Sequence, residues 1–498
     1  MEKRRTKSRT TRTPQQSLDD LPTELMHRIQ SLLSEQESAR TCVLSKSWHH
    51  AWSTIPTLRF PHFIGSSRET KNNELVYKTI QRYHENDVPI ETLAFEYFVT
   101  DPGYAKSCFR HVLSSKTRSC LKELSLKGCN FTGSMFTFAD DLLFSGEKLQ
   151  TIQLNCYRII NPGINPVIKC ASLRVLVLKE VNISEDVFHS LLSTCSLLEE
   201  VRLDLCEGLK TIKVKNLNCL RQLRVTSYEE DGLLEIDNVP SLGSFYYQRR
   251  CVVRKSHLPF KTTDSTTASS LGRSVTGLHL EGMIIDSTFF DMIESKFPFL
   301  ESLELRSKGR ASKRYVITSP LKRLTLYMKH GLMGLQVYAP NLLSFEYKGK
   351  TLPTLLFQAN APKEIKLRLN LRNPVGTSFF IWLREVLNLS SKFDIHIEFS
   401  HDDGTPFSSN GSVDVDDLRK RVLFPVTNVQ LLSLDYFIDL GDVFREHTRA
   451  FDAFFSIFHP TRVKLYGFYS KSLCKLTVRG MMENNMTDLK DVLIKKPS

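Results

Sequence analysis

Hydrophobic positions in this chain follow two different periods. Between Ser17 and Phe60 they recur at helical spacing: Leu25, Ile29, Leu32 and Leu33 make one apolar stripe. Pro22 stands where a first helical turn would start, with Asp19 and Asp20 at its positive end. Ser34 and Glu37 form an S-x-x-E capping box that can restart the chain as a second helix. Ser45 can cap a third, which carries Trp48 and Trp52 four residues apart. Three short helices this rich in Leu and Trp bury too little surface to hide it internally, so the spacing predicts an apolar face left for a partner.

From Ile90 onward the period changes to L-x-x-L-x-L. It runs as Ile90-Leu93-Phe95, Leu121-Leu124-Leu126, Leu149-Ile152-Leu154, Leu173-Leu176-Leu178, Leu198-Val201-Leu203 and Leu220-Leu223-Val225. It resumes as Val275-Leu278-Leu280, Leu300-Leu303-Leu305, Leu321-Leu324-Leu326 and Leu342-Phe345-Tyr347. Most steps lie between the low twenties and about thirty residues, the period of a leucine-rich repeat. Each unit buries its leucines on one side of a parallel sheet, and stacked units share one core. Helices are expected at Tyr104–Ser115 and Ser184–Ser193. Half-period matches at Leu209-Ile212-Val214, Leu332-Leu335-Val337 and Leu352-Leu355-Phe357 predict coils with a short strand in place of the helix. The fold class expected is therefore α/β, with three N-terminal helices followed by a solenoid whose curved parallel sheet is backed by helices or short strands.

These periods divide the chain into a tail (residues 1–16), a helical module (17–60), a linker with a helix over Glu74–Glu85 (61–89), leucine-rich repeats (90–370) and irregular C-terminal repeats or a cap (371–498). The Ser/Thr-rich stretch between Leu242 and Val275 reads as a loop thrown out of the solenoid. In the last part a helix is expected at Ser378–Leu389, a polar loop at His401–Asp417, strands near Val429–Leu434 and Val463–Leu465, and a helix bearing Phe444, Phe451, Phe454, Phe455 and Phe458. A cap covering the exposed core edge is preferred there over a separate domain.

The helical module resembles the F-box, the motif that hands a protein to the Skp-type adaptor of cullin-based ubiquitin ligases. The resemblance spans about forty residues and rests on Leu21-Pro22, Ile29 with Leu32-Leu33, RTCVLSKSW from Arg40 to Trp48, and Trp52 with IPTLRF. Ser34 departs from the pattern, standing where many members carry a proline. With the repeats, and with CLKELSLKGC and VYAPNLLSFEYKGK in particular, the whole is similar to the plant-type F-box/leucine-rich-repeat family. That resemblance implies a substrate receptor of a Skp–cullin–F-box ubiquitin ligase. Its adaptor-binding set would be Leu21, Pro22, Leu25, Ile29, Leu32, Leu33, Val43, Leu44, Trp48 and Trp52, which either contact the adaptor or hold the helices that do, with Skp-type adaptor and cullin as partners and the repeats holding a protein substrate. The alternative is a non-catalytic repeat scaffold outside a ligase.

Outward positions on the predicted strands place Lys127, Lys179, Arg202, Arg224, Arg306, Arg323 and Tyr327 on the concave face, opposed by Glu123, Glu200, Asp204 and Glu304. This basic excess favours an acidic peptide, a phosphorylated segment or an anionic cofactor, weighed equally against a solvated face with no ligand.

Charge and cysteine usage refine the picture. The net charge is +13, and residues 1–16 hold Lys3, Arg4, Arg5, Lys7, Arg9 and Arg12 against Glu2 alone. Such a tail serves nuclear import or merely solubility. The nucleus, the cytoplasm or both are the expected locations. The tail lacks aromatic residues and the body shows no finger or homeodomain pattern, so nucleic acid is not an expected partner. No apolar run reaches the roughly 18 to 20 residues that span a bilayer, so no membrane association is expected. Eleven cysteines without C-x-x-C pairs fit a reducing compartment. Enzymatic motifs fail on spacing: Gly349-Lys350-Thr351 ends like a P-loop, but Ser344 occupies the position of its first glycine. There is no H-E-x-x-H or G-x-S-x-G. The expectation is a non-enzyme with no cofactor or metal.

Overall fold

A computed structural model of the chain describes residues 18, 21–33, 35–60, 69–98, 120–128, 136–139, 143–160, 168–228, 233–250, 260–261, 270–285, 288–308, 311–358, 360–371, 376–399, 413–422, 424–436, 452–466 and 491–495. The basic tail, the helix expected at Tyr104–Ser115 and most of the His401–Asp417 loop lie outside these residues. The chain divides into two compact units, Met1–Leu198 and Glu199–Ser498.

In the first unit, α1 (Thr23–Ser31), α2 (Glu35–Arg40) and α3 (Lys46–Ser53) form the N-terminal module. A single 3-10 turn, Thr41–Val43, follows α2. Ser45 caps α3 by accepting a hydrogen bond from the Trp48 amide at 3.3 Å, while Pro22 sits at the N-cap of α1 with no side-chain cap. The next helix, α4 (Glu69–Glu85), begins earlier than the spacing predicts.

Parallel strands β1 (Thr57–Phe60), β2 (Thr92–Phe98), β3 (Glu123–Gly128), β5 (Thr151–Asn155) and β7 (Val175–Lys179) pair in that order. A separate pair, β4 (Phe136–Ala139) and β6 (Tyr157–Ile160), lies apart from this ladder. The closing TLRF of the helical module is thus the first strand of the ladder rather than the end of an autonomous domain, because Leu58 and Phe60 match Leu93 and Phe95 in register. The rings of Phe60 and Phe95 stack at 4.9 Å. Helix Glu185–Thr194 is capped by Ser184 and buries Val187, Phe188, Leu191 and Leu192.

The second unit carries a longer parallel ladder. Its strands are β8 (Glu200–Asp204), β10 (Gln222–Ser227), β12 (Ser244–Arg249), β14 (Gly277–Met283), β15 (Ser302–Ser307) and β17 (Arg323–Met328), then β19 (Ser344–Gly349), β21 (Glu364–Leu371), β22 (Phe393–Phe399), β23 (Val429–Tyr436), β24 (Arg462–Tyr466) and β25 (Asp491–Lys495). Among the described residues of 371–498, β22 to β25 extend the ladder in parallel. Alternation of Phe393, Ile395 and Ile397, then Leu432 and Leu434, keeps the buried face continuous without the leucine signature.

The half-period matches form β9 (Thr211–Lys215), β18 (Leu332–Val337) and β20 (Thr354–Phe357). Three strands that no match announced, β11 (Leu233–Asp237), β13 (Phe260–Lys261) and β16 (Ala311–Ile317), pair with them in two separate sets, β9 with β11 and β13, and β16 with β18 and β20. Phe345 of β19 meets Phe357 of β20 with ring centroids 5.6 Å apart, so the core lies between the ladder and these return strands. The Leu242–Val275 step, expected as a loop, contributes β13 and the short helix Ser270–Ser274. Elsewhere helices take the return position: Phe289–Lys296 packs Phe290 on Tyr315 at 5.5 Å, and Phe380 of Thr377–Leu387 packs on Phe454 at 4.9 Å. The phenylalanine-bearing helix is described over 452–457, and a helix over Val415–Arg421 occupies the end of the expected polar loop.

Candidate functional site

Two surfaces stand out, one in each unit. In the helical module Met26, Trp48 and Ala51 make a small core against which Leu21 packs. Gln30 is buried beside them, its amide donating to Thr41 Oγ1 at 2.8 Å and to the Trp48 carbonyl at 3.2 Å. One polar side chain thereby links α1, the turn before α3, and α3. The apolar stripe points elsewhere. Leu25, Ile29, Leu32, Leu33, Val43 and Leu44 are all exposed, Leu32 at 81% and Val43 at 87%. Pro22 is exposed beside them.

Trp48 does not belong to this face. It is 3% exposed and holds the helices together, which places it with the supporting residues of the predicted docking set and not on its surface. Trp52 is half-buried and lies under the guanidinium of Arg82 from α4, 5.7 Å from the ring centroid. Met26 and Gln30, which fill the inward side, escaped the sequence reading; their i, i+4 spacing, opposite the leucine stripe, is the signal that could have found them. His49 and His50 are exposed on α3.

In the second unit the outward side chains of β10 to β21 interlock. The Arg224 guanidinium lies 3.9 Å from the centroid of the Tyr246 ring, and Tyr246 faces His279 at 4.2 Å. His279 Nδ1 is 2.9 Å from Glu304 Oε2, and Arg306 Nη2 is 2.8 Å from Glu304 Oε1. Arg306 then covers Tyr327 at 4.5 Å, Tyr327 donates to Glu346 at 3.1 Å, and Arg368 Nε closes on the same Glu346 oxygen at 2.8 Å. Burial alone would raise the Glu304 carboxyl; hydrogen bonds and charge from His279 and Arg306 outweigh it and hold the group below its ordinary range. Tyr246 and Tyr327 are raised, chiefly by burial, and stay protonated donors.

Beside this chain a cavity of about 340 Å³ opens over Gly277, Ser244 and Ser302, rimmed by Arg202, Arg224 and His279. Small residues at the first outward position of three adjacent strands make the space. His279 Nε2 is buried there without a hydrogen-bond partner.

The predicted concave-face residues are thus divided. Lys127 and Lys179 sit on β3 and β7 of the first unit, both in register with Asn155. The others belong to the second unit, and several are engaged by neighbours: Arg202 with Glu200, Arg306 with Glu304, and Arg323 Nε with Ser302 Oγ at 3.5 Å. The cations left without such partners escaped the sequence reading. Lys308, Lys329, Lys348 and Lys350 gather at the far end of β15, β17 and β19. Their signal was legible, since three successive units place a lysine three residues after the last core position of the strand.

Among the described residues no group of His, Cys, Asp and Glu could hold a metal ion, and no helix is long and apolar enough to cross a membrane. The cysteines among them form no disulfide.

Comparison with known proteins adds a family context. Residues 80–258 match the family model described as At1g61320/AtMIF1, LRR domain. Relatives from Arabidopsis thaliana include At5g02930, named as an F-box/LRR-repeat protein, 27% identical over 51% of this chain and 51% of its own length. F-box/LRR-repeat protein 25 is 28% identical over 43% of this chain and 75% of its own length. F-box protein At5g03100 is 28% identical over 42% and 62% respectively. The match thus spans about half the length of the first of these relatives.

Proposed function

Because the chain belongs with the plant-type F-box/leucine-rich-repeat proteins, we propose that it is the non-catalytic substrate receptor of a Skp–cullin–F-box ubiquitin ligase. The observation that carries this reading is the apolar face of Leu25, Ile29, Leu32, Leu33, Val43 and Leu44, exposed beside a core of only a few side chains. Burying one such side chain is worth about 1.5–3 kcal/mol, so a contiguous group of them favours a stable complex over exposure to water. In this reading the face docks the Skp-type adaptor, the cullin is reached through that adaptor, and the repeats present the substrate.

Co-purification of the full chain with a Skp-family adaptor and cullin tests this directly. The wild type is expected to bind, and Leu32→Ala with Val43→Ala, both exposed on that face, to lose at least about thirtyfold in affinity, the loss of roughly 2 kcal/mol typical of an interface hot spot. Failure of the folded wild type to bind would overturn the reading and leave a repeat scaffold outside a ligase.

A further inference from the structure

We infer that the lysines at the far end of β15, β17 and β19 form the binding site for a phosphorylated segment of a partner protein, an inference that rests on the receptor reading for its role as a substrate contact. The register is what brings them together. Ser307 pairs with Met328 and Met328 with Gly349, so the residues that follow, Lys308, Lys329 and Lys350, stand at equivalent positions beyond three adjacent strand ends. Adjacent strands are about 4.8 Å apart, which puts the outer two backbones roughly 10 Å from each other. Lys348, one step back on β19, lines the same cavity of about 390 Å³ with Arg306 and Tyr327.

Pairing on this sheet face makes the cluster distinctive. Elsewhere along it cations sit against carboxylates, as in Arg306 with Glu304, Arg368 with Glu346, Lys322 with Glu301 and Lys392 with Glu364. Among the described residues none of the four lysine ammonium groups has an ion-pair or hydrogen-bond partner, and Glu281 is the sole carboxylate lining their cavity. Like charges held side by side repel, and an anion with several oxygens relieves that repulsion. Phosphate fits best: each phosphoryl group offers three acceptor oxygens, and two groups about 10 Å apart match the row.

The floor selects a protein segment over a free polyphosphate. Tyr327, Met328 and Gly349 lie beneath the lysines, and Gly349 leaves room that a side chain there would lose by running into the Tyr347 hydroxyl. An apolar floor with a cationic rim suits a phosphoserine next to an apolar residue. A free polyphosphate has nothing to place on it.

The test uses the full chain and a fluorescein-labelled octapeptide, Gly-Leu-pSer-Gly-Gly-pSer-Leu-Gly, whose phosphoserines fall on one face about 9 Å apart in a polyproline II conformation. Anisotropy should show binding that weakens with salt and is absent for the unphosphorylated peptide. The variant Lys308→Glu/Lys329→Glu/Lys350→Glu should lose at least about tenfold in affinity, as expected for lost charge-assisted hydrogen bonds. A control with the same charge change, Lys148→Glu/Lys169→Glu/Lys210→Glu, should stay within about twofold, since it touches none of these positions. If the reversal variant unfolds, the glutamine version of the same triple should show a loss in the same direction. Equal loss in ladder and control variants, or no preference for phosphate, would overturn the site. Tighter binding of inorganic tripolyphosphate, with no effect of replacing the peptide's leucines by glycine, would overturn the protein-segment assignment. Adaptor binding measured on the same preparations separates the two readings: adaptor without peptide sinks this inference alone, and peptide without adaptor sinks the receptor reading alone.

Discussion

Arg224 on β10 and Tyr246 on β12 occupy the same position of adjacent strands, and the guanidinium lies 3.9 Å from the ring centroid. The contact heads a relay of aromatic, cationic and carboxylate groups that crosses the sheet to Arg368. Half-buried cation–π contacts are worth about 0.5–2 kcal/mol. A double-mutant cycle of Arg224→Ala and Tyr246→Ala on urea unfolding should therefore return a favourable coupling in that range. A coupling indistinguishable from zero would mean that the two side chains merely share a solvated surface.

The helical module separates folding from docking residue by residue. Trp48→Ala removes a buried ring from a small core and should cost about 3–5 kcal/mol, read as a large fall in the thermal midpoint of this unit. Leu32→Asp with Val43→Asp alters two exposed side chains and should change stability by no more than about 0.5 kcal/mol per site while abolishing adaptor binding. Loss of fold in the second variant, or wild-type stability in the first, would contradict the assignment of inward and outward faces.

Tyr83 of α4 donates its hydroxyl to the Ile55 carbonyl at 3.0 Å, and burial pushes the phenol up to about 12. The hydroxyl therefore remains a donor throughout the physiological range, tying α4 to the segment that follows α3. Tyr83→Phe should cost about 1 kcal/mol in denaturant unfolding. No change would show that water serves the carbonyl equally well.

Glu304 predicts an acid-range dependence whose sign follows from its lowered pKa. The folded carboxyl stays ionised where the unfolded one, near 4.3, already takes up protons. Its contribution is therefore complete above the unfolded value and is lost as pH falls through the folded one. The difference in urea midpoint between wild type and Glu304→Gln should be largest above about pH 5 and shrink toward zero in more acid solution. A difference that grows on acidification would refute the pairing with His279 and Arg306.

Gly282 sits at φ +81° where β14 shifts register against β15, and a side chain there would run into the carbonyl oxygen of Arg249. Gly282→Ala adds an overpacking penalty of about 1–3 kcal/mol to left-handed backbone strain of about 1 kcal/mol. A thermal midpoint unchanged from wild type would show that the strand relaxes without cost.

The coil architecture can be read from the order of residues alone. Alternating burial along a parallel strand demands apolar residues at fixed steps, so Leu121-Leu124-Leu126 and its successors announce their strands one by one. Half-period matches such as Leu332-Leu335-Val337 announced three of the return strands, β9, β18 and β20, for the same reason. Where aromatic and β-branched residues replaced leucine, as at Phe393, Ile395 and Ile397, the ladder continued without that signature, because burial depends on alternation and not on one residue type. Direction and neighbourhood were decided by the tertiary structure. Helical spacing marks a stripe without saying whether it faces in or out, and only packing placed Trp48 and Met26 inside and Leu32 and Val43 outside. Likewise Lys308, Lys329 and Lys350 lie 21 residues apart in sequence. Only the parallel register, which sets equivalent positions of successive coils side by side, makes them one charged row.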